Sequence, residues 1–222
     1  CGEQHSLALT KTGLLYSWGS SKAGQLGHGA GQDEMKDSNS KNKKSDETVT
    51  FPKLISSFVD GKMHVLKVAC GMNHCCAITC SSSEEILSDI MRMNNTDGVI
   101  DDLILSGSLS TKLYTWGYGE HGRLGNGMLR DGMESSCKLP TLVRYFDENN
   151  ISIVDVCAGS SHTLALASNG AAFGWGNNEF GQVGVNQQYV THDKDCGGAV
   201  VLKPSPITFN AIGDAKIKSV SC

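Results

Sequence analysis

The sequence predicts an all-β fold, a segment of a β-propeller, on the basis of three observations. A motif pair opens the chain as CGEQH…LYSWG and returns as CGMNH…LYTWG and as AGSSH…AFGWG. Each motif tryptophan is followed by a Gly-x-x-Gly loop, and each repeat then reaches a proline 18 residues before the next repeat start. Because one such unit cannot bury its own apolar face, self-similarity of this kind is typical of solenoids and propellers.

The recurring motif divides the chain into three repeats. The repeat starts are Cys1, Cys70, Ala158 and Cys222, so the repeats cover residues 1–69, 70–157 and 158–221. Even small propellers need about four blades, so three repeats predict an open part of a ring. Because the chain begins without methionine and both ends fall at the same point of the repeat, we expect an internal piece of a longer protein.

Each repeat contains two short apolar runs, such as Thr163–Leu166 and the run ending at Trp175, joined by a polar turn. This pattern predicts a β-hairpin, and the Asn169-Gly170 pair predicts a tight primed turn with positive φ. A proline in each repeat opens an edge-like strand, where a missing N–H is tolerated. The predicted further strands are Leu66–Ala69, Ile153–Cys157 and Ile217–Ser221, giving about four strands per repeat, as in a propeller blade.

Three residue types recur at fixed repeat positions: His5, His74 and His162; Trp18, Trp116 and Trp175; Gly24, Gly122 and Gly181. We interpret the histidines as structural groups that hydrogen-bond a loop carbonyl. We interpret the tryptophans as packing between blades, in preference to binding sugars or cations. The glycines allow close packing or positive φ. Recurrence at three equivalent places favours architecture over catalysis.

The sequence offers no catalytic or cofactor-binding motif. It has no Gly-x-Ser-x-Gly nucleophile elbow, and its Gly-x-x-Gly loops lack the Gly-Lys-Ser/Thr ending of a phosphate-binding loop. The densest set of candidate zinc ligands is Cys70, His74, Cys75, Cys76 and Cys80. Its spacing argues against zinc, because adjacent cysteines on a strand point to opposite faces. We therefore expect no catalytic residue, cofactor or metal.

Composition favours a soluble intracellular module of the cytoplasm or nucleus. The formal net charge is −4, and no apolar run approaches the roughly 20 residues that span a bilayer. The one lysine cluster, at Lys41, Lys43 and Lys44, lies among acids and serines. Such a mixture is typical of a solvated loop and gives no strong indication of nucleic-acid binding.

Two insertions distinguish the repeats from one another. The first, about residues 30–50, has almost no large apolar residue and is expected to be a disordered surface loop. The second, about residues 81–110, holds six acids and one base, and Ser82 with Glu85 could cap a short helix. It is a candidate partner-binding surface, or its apolar residues fold back on the blade rim. The candidate residues are Glu84, Glu85, Ile86, Asp89, Ile90, Asp101 and Asp102.

The pattern CGxxH…LYxWGxxxxGQLGxG resembles the repeat of the regulator of chromosome condensation family across nearly the whole chain, with mild departures at Ala158, Phe173 and Val185. The resemblance implies a seven-bladed β-propeller and a non-catalytic module for protein interaction within a larger regulatory protein. It leaves two alternatives: guanine nucleotide exchange on a Ran-like or other small GTPase, and substrate recognition in a HECT-type ubiquitin ligase. The exchange factor carries a wedge after one Trp-Gly position, and the three equal Trp-to-Gly spacings leave no room for one here.

Overall fold

The computed structural model describes residues 1–29, 48–80, 96–128, 136–193, 198–209 and 216–222. The strands are β1 His5–Leu9, β2 Leu15–Ser20, β3 Thr48–Leu54, β4 His64–Cys70, β5 His74–Cys80, β6 Thr111–Gly117, β7 Cys137–Leu142, β8 Ile153–Ala158, β9 His162–Ala167, β10 Ala172–Asn177, β11 Thr191–Asp193 and β12 Gly198–Pro206. The helices are α1 Ser56–Asp60, α2 Thr96–Leu105 and α3 Arg144–Glu148, and single 3₁₀ turns lie at Glu120–Gly122 and Gln187–Tyr189.

The strands form three antiparallel sheets, which we call blades 1, 2 and 3. Blade 1 has the order β1-β2-β3, blade 2 the order β4-β5-β6-β7, and blade 3 the order β8-β9-β10-β12-β11. Blade 2 is a plain four-stranded meander, and blade 3 adds the short strand β11 outside β12. The all-β propeller fold predicted from the sequence is therefore confirmed.

The sheets are out of phase with the sequence repeats by one strand. Strand β4 lies at the end of the first repeat, yet it pairs with β5 as the first strand of blade 2. Strand β8 likewise ends the second repeat and pairs with β9 in blade 3. A strand contributed across each repeat boundary ties consecutive repeats together, because neither repeat can complete its sheet alone.

The hairpin predictions hold, and the predicted turn type is wrong. Gly13 and Gly170 have φ of 74° and 88°, whereas Asn169 is not among the residues with positive φ. The N–H of Gly170 donates to the Ala167 carbonyl at 2.9 Å, and the N–H of Ala167 donates to the Ala171 carbonyl at 2.9 Å. This is the three-residue hairpin loop in which one left-handed glycine follows the turn, so one positive φ suffices.

Two of the three repeat prolines lie on outer strands, as predicted, whereas Pro204 lies in β12, which pairs with both β10 and β11. Pro52 and Pro140 are in β3 and β7, and each of these strands pairs with a single neighbour. A short helix follows each strand and buries one phenylalanine, Phe58 in α1 and Phe146 in α3. The chain then turns back into the first strand of the next blade, so these helices connect one blade to the next.

The core lies between the blades. We call the blade 1 to blade 2 contact the first junction and the blade 2 to blade 3 contact the second junction. Phe58 meets Trp116 edge-on in the first junction, with ring centroids 5.9 Å apart. In the second junction Phe146 meets Trp175 at the same centroid distance, with the rings tilted by 56°. Edge-to-face aromatic pairs add about 0.5–1.5 kcal/mol beyond the area that they bury.

Of the three further predicted strands, two form and the third does not. Residues 66–69 and 153–157 lie within β4 and β8 as predicted, but residues 217–221 form no strand, since nothing in the described part of the chain pairs with them. Ile217 and Val220 still pack against the cluster that contains Val154 and Leu166. No helix among the described residues has the length and apolar character needed to cross a bilayer.

Candidate functional site

The motif tryptophans join each blade to the loop of the preceding blade. The indole N–H of Trp116 donates to the Gln25 carbonyl at 3.0 Å, and that of Trp175 donates to the Arg123 carbonyl at 3.0 Å. Both side chains are completely buried, whereas Trp18 on the free face of blade 1 is partly buried. The predicted packing between blades thus describes the two tryptophans whose preceding blade is present.

The Gly-x-x-Gly loops fit closely against the next blade. A Cβ added to Gly27 or Gly125 would lie 2.9 or 2.8 Å from the indole nitrogen of Trp116 or Trp175. The predicted positions Gly24 and Gly122 instead face strands β7 and β12 of the next blade, at Lys138 and Leu202, whereas Gly181 faces open space. All of these glycines have positive φ, and at every position except Gly181 the close approach of the next blade also requires glycine.

The second motif histidine forms a relay across the second junction. His74 Nε2 lies 3.0 Å from Thr163 Oγ1, and that hydroxyl donates to the Arg123 carbonyl at 3.0 Å. Because the Thr163 hydroxyl donates its proton to the Arg123 carbonyl, it can only accept from His74. His74 therefore donates from Nε2. The sequence interpretation had the histidine bonded directly to a loop carbonyl; the structure places Thr163 between them. Burial, and to a lesser degree the charge of Arg123, lowers the pKa of His74 to about 3.

The first junction has the same arrangement with sulfur in place of oxygen. His5 Nε2 lies 3.0 Å from Cys75 Sγ, and the Cys75 thiol donates to the Gln25 carbonyl at 3.4 Å. Cys70 pairs with Cys75 across strands β4 and β5. The hydrogen bond with Cys75 lowers the pKa of Cys70 to about 5, while burial raises the pKa of Cys75 well above its usual range.

The cysteine cluster of the sequence is divided between the two junctions. Cys75 belongs to the core of the first junction and Cys76 to the core of the second, because neighbouring strand residues point to opposite faces. The ligand atoms of His5, Cys70 and Cys75 all lie within 4.8 Å of one another. Sequence spacing could not reveal this set, since the histidine comes from the preceding repeat.

Arg123 is a buried residue that the sequence analysis missed. It is 3% exposed, its Nε donates to the Glu120 carbonyl at 2.8 Å, and its Nη1 donates to the Ser160 carbonyl of blade 3 at 3.2 Å. The guanidinium also lies over the Tyr118 ring, 5.0 Å from its centroid. Burial lowers its pKa. One feature of the sequence could have indicated this residue. The loop has Gln in the first and third repeats, GQLG and GQVG, but Arg123 in the second, GRLG.

The acidic insertion is anchored at the rim where blades 2 and 3 meet. Ile104 of α2 is buried in a cluster with Val154 and Leu166, and Lys67 Nζ lies 3.0 Å from Asp101 Oδ1. On the outside of α2, Asp102 is exposed and Leu105 is 57% exposed. We call Asp102 and Leu105, with the rim beside them, the insertion surface.

A cavity of about 470 Å³ adjoins the insertion surface. The cavity is lined by residues of α2, of strands β4 and β8, and of the last described segment, residues 216–222. The lining includes Lys67, Asp101, Leu105, Asp155, Lys216 and Lys218. Of the predicted partner-binding residues, Asp101 and Asp102 lie on α2, and Asp101 is tied to the blade. Glu84, Glu85, Ile86, Asp89 and Ile90 lie outside the described residues, as does most of the first insertion.

Comparison with known proteins places this architecture in context. A model of the regulator of chromosome condensation (RCC1) repeat matches residues 12–78, 112–166 and 169–222. The ultraviolet-B receptor UVR8 of Arabidopsis thaliana is 29% identical over 247 residues, covering 100% of this chain and 48% of the receptor. The probable E3 ubiquitin-protein ligase HERC6 of Homo sapiens is 27% identical over 223 residues, covering 100% of this chain and 16% of the ligase.

A crystal structure of Prp20p from Saccharomyces cerevisiae, described with its binding to Gsp1p and histones, has a similar fold. It matches with a TM-score of 0.63 at 22% identity, covering 100% of this chain and 40% of Prp20p. At this identity the likeness shows the shared fold alone. The chain spans about half or less of the length of each of these three proteins.

Proposed function

Because the chain belongs to the regulator of chromosome condensation (RCC1) repeat family, we propose that it works as a non-catalytic β-propeller segment that binds protein partners within a larger regulatory protein. The insertion surface is the proposed contact. The observation that carries this proposal is that α2 is held on the rim of blades 2 and 3 by buried apolar residues, while it turns an acid and a leucine outward. Binding residues are commonly mounted in this way, on loops held by a rigid scaffold.

The chemistry of the surface indicates the kind of partner. Asp102 and the 57% exposed Leu105 put a carboxylate beside an apolar side chain. A carboxylate beside an exposed apolar side chain is complementary to a partner that offers a basic residue near an apolar pocket. His5, His74, Trp116 and Trp175 are occupied between blades, so they contribute architecture and do not contact the partner.

The test replaces the insertion with a turn that the chain already uses. In blade 3 the hairpin closes through Ala167-Ser168-Asn169-Gly170-Ala171, between the paired residues Leu166 and Ala172. The same five residues can join Cys80 to Thr111, which are paired in blade 2. We expect the full-length protein with this graft to remain folded and to lose affinity for partners captured by the wild type, measured by titration calorimetry on the purified pair.

Three point variants separate contact from anchoring. Leu105→Ser and Asp102→Lys change only the outer side of α2, so we expect weaker binding with unchanged thermal stability. Ile104→Ala removes a buried anchor and should lower both, by about 2–5 kcal/mol in stability. If the graft and both surface variants leave the affinity of every captured partner unchanged, the insertion surface is not the binding site.

The two alternative functions of the family are tested in the same protein. Release of bound nucleotide from a panel of Ran, Rab and Rho GTPases measures exchange activity. Acceleration of release would replace the scaffold proposal with exchange, and loss of ubiquitination of one captured partner in the grafted variant would assign substrate recognition in a ligase. Both outcomes depend on parts of the protein beyond these three blades, since the chain covers 16% of the ligase relative and 40% of Prp20p.

A further inference from the structure

We propose that the first junction is a zinc site, in which His5, Cys70 and Cys75 bind one Zn²⁺ ion and thereby link blade 1 to blade 2. The three ligand atoms lie within 4.8 Å of one another, and His5 Nε2 is 3.0 Å from Cys75 Sγ. Imidazole nitrogen and cysteine thiolate are the ligands that zinc prefers in proteins. The proposed function does not use these residues, so the failure of one proposal does not affect the other.

The geometry needs little adjustment to accept the ion. Zinc bonds of about 2.3 Å to sulfur and about 2.0–2.1 Å to nitrogen place the ligand atoms of a tetrahedral site about 3.5–3.8 Å apart. The His5 Nε2–Cys75 Sγ separation of 3.0 Å is slightly shorter than that range, and no pair of ligand atoms is more than 4.8 Å apart. Small side-chain rotations therefore bring the three atoms onto one centre, and no movement of the blades is required.

The charge balance also favours Zn²⁺. Binding releases one proton from each of the two thiols, and a dication with two thiolates and a neutral imidazole has no net charge. An electrically neutral centre avoids the cost of an unpaired buried charge, which matters because His5 and Cys75 are 4% and 0% exposed. Cys70 is only partly buried, so water can reach the site from that side. A water molecule then occupies the fourth coordination position of the ion.

The second junction shows that the fold itself does not require this set. The residues at the same repeat positions there are His74, Ala158 and Thr163, and His74 makes its 3.0 Å contact to a hydroxyl. Two thiols and a histidine therefore meet in the first junction, whereas the equivalent place in the second has a histidine, a hydroxyl and a methyl group. This equivalence provides a matched replacement, Cys70→Ala with Cys75→Thr, which copies the side chains of the second junction.

The test compares metal uptake by the full-length wild type and the double variant, both reduced and stripped of metal. Co²⁺ serves as the coloured probe, because thiolate ligands give a charge-transfer band in the near ultraviolet and tetrahedral cobalt absorbs in the visible. We expect the wild type to bind one more Co²⁺ than the variant, with a thiolate band that Zn²⁺ abolishes. Zn²⁺ should also raise the Tm of the wild type alone, since an ion that binds only the folded state stabilises it.

A pair of histidine variants tests the imidazole ligand. His5→Gln should weaken zinc binding by more than about 100-fold, whereas His74→Gln, which makes the same change in the second junction, should leave zinc binding unchanged. Equal metal uptake by the wild type and the double variant would overturn the proposal. A Cys70–Cys75 disulfide in the isolated protein, seen as a mass lower by two hydrogens, with no metal uptake after reduction, would overturn it as well.

Discussion

The two junctions share their backbone design and differ in the side chains around the motif histidine. Each has an indole N–H that donates to a loop carbonyl at 3.0 Å, and each has a phenylalanine from a short helix beside that indole. The residue that meets the motif histidine is Cys75 in the first junction and Thr163 in the second. The tryptophan and glycine positions are therefore fixed by packing, whereas the histidine partner can change and so can acquire chemistry of its own.

The carbonyl at the centre of each junction explains this tolerance. The Gln25 carbonyl accepts from Trp116 and from Cys75, and the Arg123 carbonyl accepts from Trp175 and from Thr163. A carbonyl oxygen has two lone pairs and can accept from two donors. The indole N–H already provides one hydrogen bond, so the buried carbonyl is not left unpaired when the second donor changes. The second donor is therefore less constrained, and either a hydroxyl or a thiol can fill its place.

The largest effect is expected from removing an indole. Trp116→Ala and Trp175→Ala should each lower the free energy of unfolding by about 3–5 kcal/mol, because each leaves a cavity between two blades. Trp116→Phe keeps most of the ring and should lose about 1 kcal/mol, the net contribution of one hydrogen bond. Urea denaturation followed by circular dichroism measures both. A Trp116→Ala protein with full stability and no partner binding would assign this side chain to a ligand site instead of the core.

The next effect comes from the glycines that touch the indoles. Gly27→Ala and Gly125→Ala should cost about 2–4 kcal/mol, because the new methyl group must adopt positive φ and displace an indole less than 3 Å away. Gly184→Ala is the matched control at the same repeat position, with φ of 73° and its nearest neighbour, Ile207, at 3.4 Å. It should cost only the backbone term, about 1–2 kcal/mol. Equal losses at all three positions would show that contact with the indole is unimportant.

A smaller effect should appear as a dependence of stability on pH. The pKa of His74 is about 3 in the folded protein, against 6.5 for an unperturbed histidine. Between these values the unfolded chain binds a proton that the folded protein does not, so stability is full above pH 6.5 and falls as the pH is lowered toward 3. The loss should approach about 1.4 kcal/mol per pH unit. Urea titrations at pH 7 and pH 5 should show this loss in the wild type and not in His74→Gln. The same change in stability between the two pH values in both proteins would contradict the prediction.

The sequence predicts the repeated scaffold well because that scaffold depends on local chemistry. Residues such as Gly170 and Pro140 constrain the backbone wherever they occur, so hairpins and outer strands could be placed from the motif alone. The turn type was missed because Asn-Gly is compatible with two loop lengths. The strand predicted at residues 217–221 does not form, because a strand needs a hydrogen-bonding partner, which the pattern within the segment does not reveal.

The junction chemistry could not be predicted from spacing along one repeat. His5 and Cys75 belong to different repeats, and Arg123 reaches the Ser160 carbonyl in the following blade. Such pairs are determined by how neighbouring sheets stack. One repeated feature could have found Phe58 and Phe146, since each lies six residues after its repeat proline. The anchoring of α2 depends likewise on contacts with Val154 and Leu166, which come from the next blade.

The smallest effect is expected from exchanging the histidine partners, and it distinguishes tolerance from optimisation. Thr163→Cys weakens the link from His74 to the Arg123 carbonyl and should cost about 1 kcal/mol, while Cys75→Thr in metal-free protein should change stability by less than that, or raise it. Both are measured by thermal unfolding under reducing conditions with a chelator present. A large loss in Cys75→Thr would show that the first junction is built for sulfur even without metal. In that case the two junctions are separate designs and not one design with a variable partner.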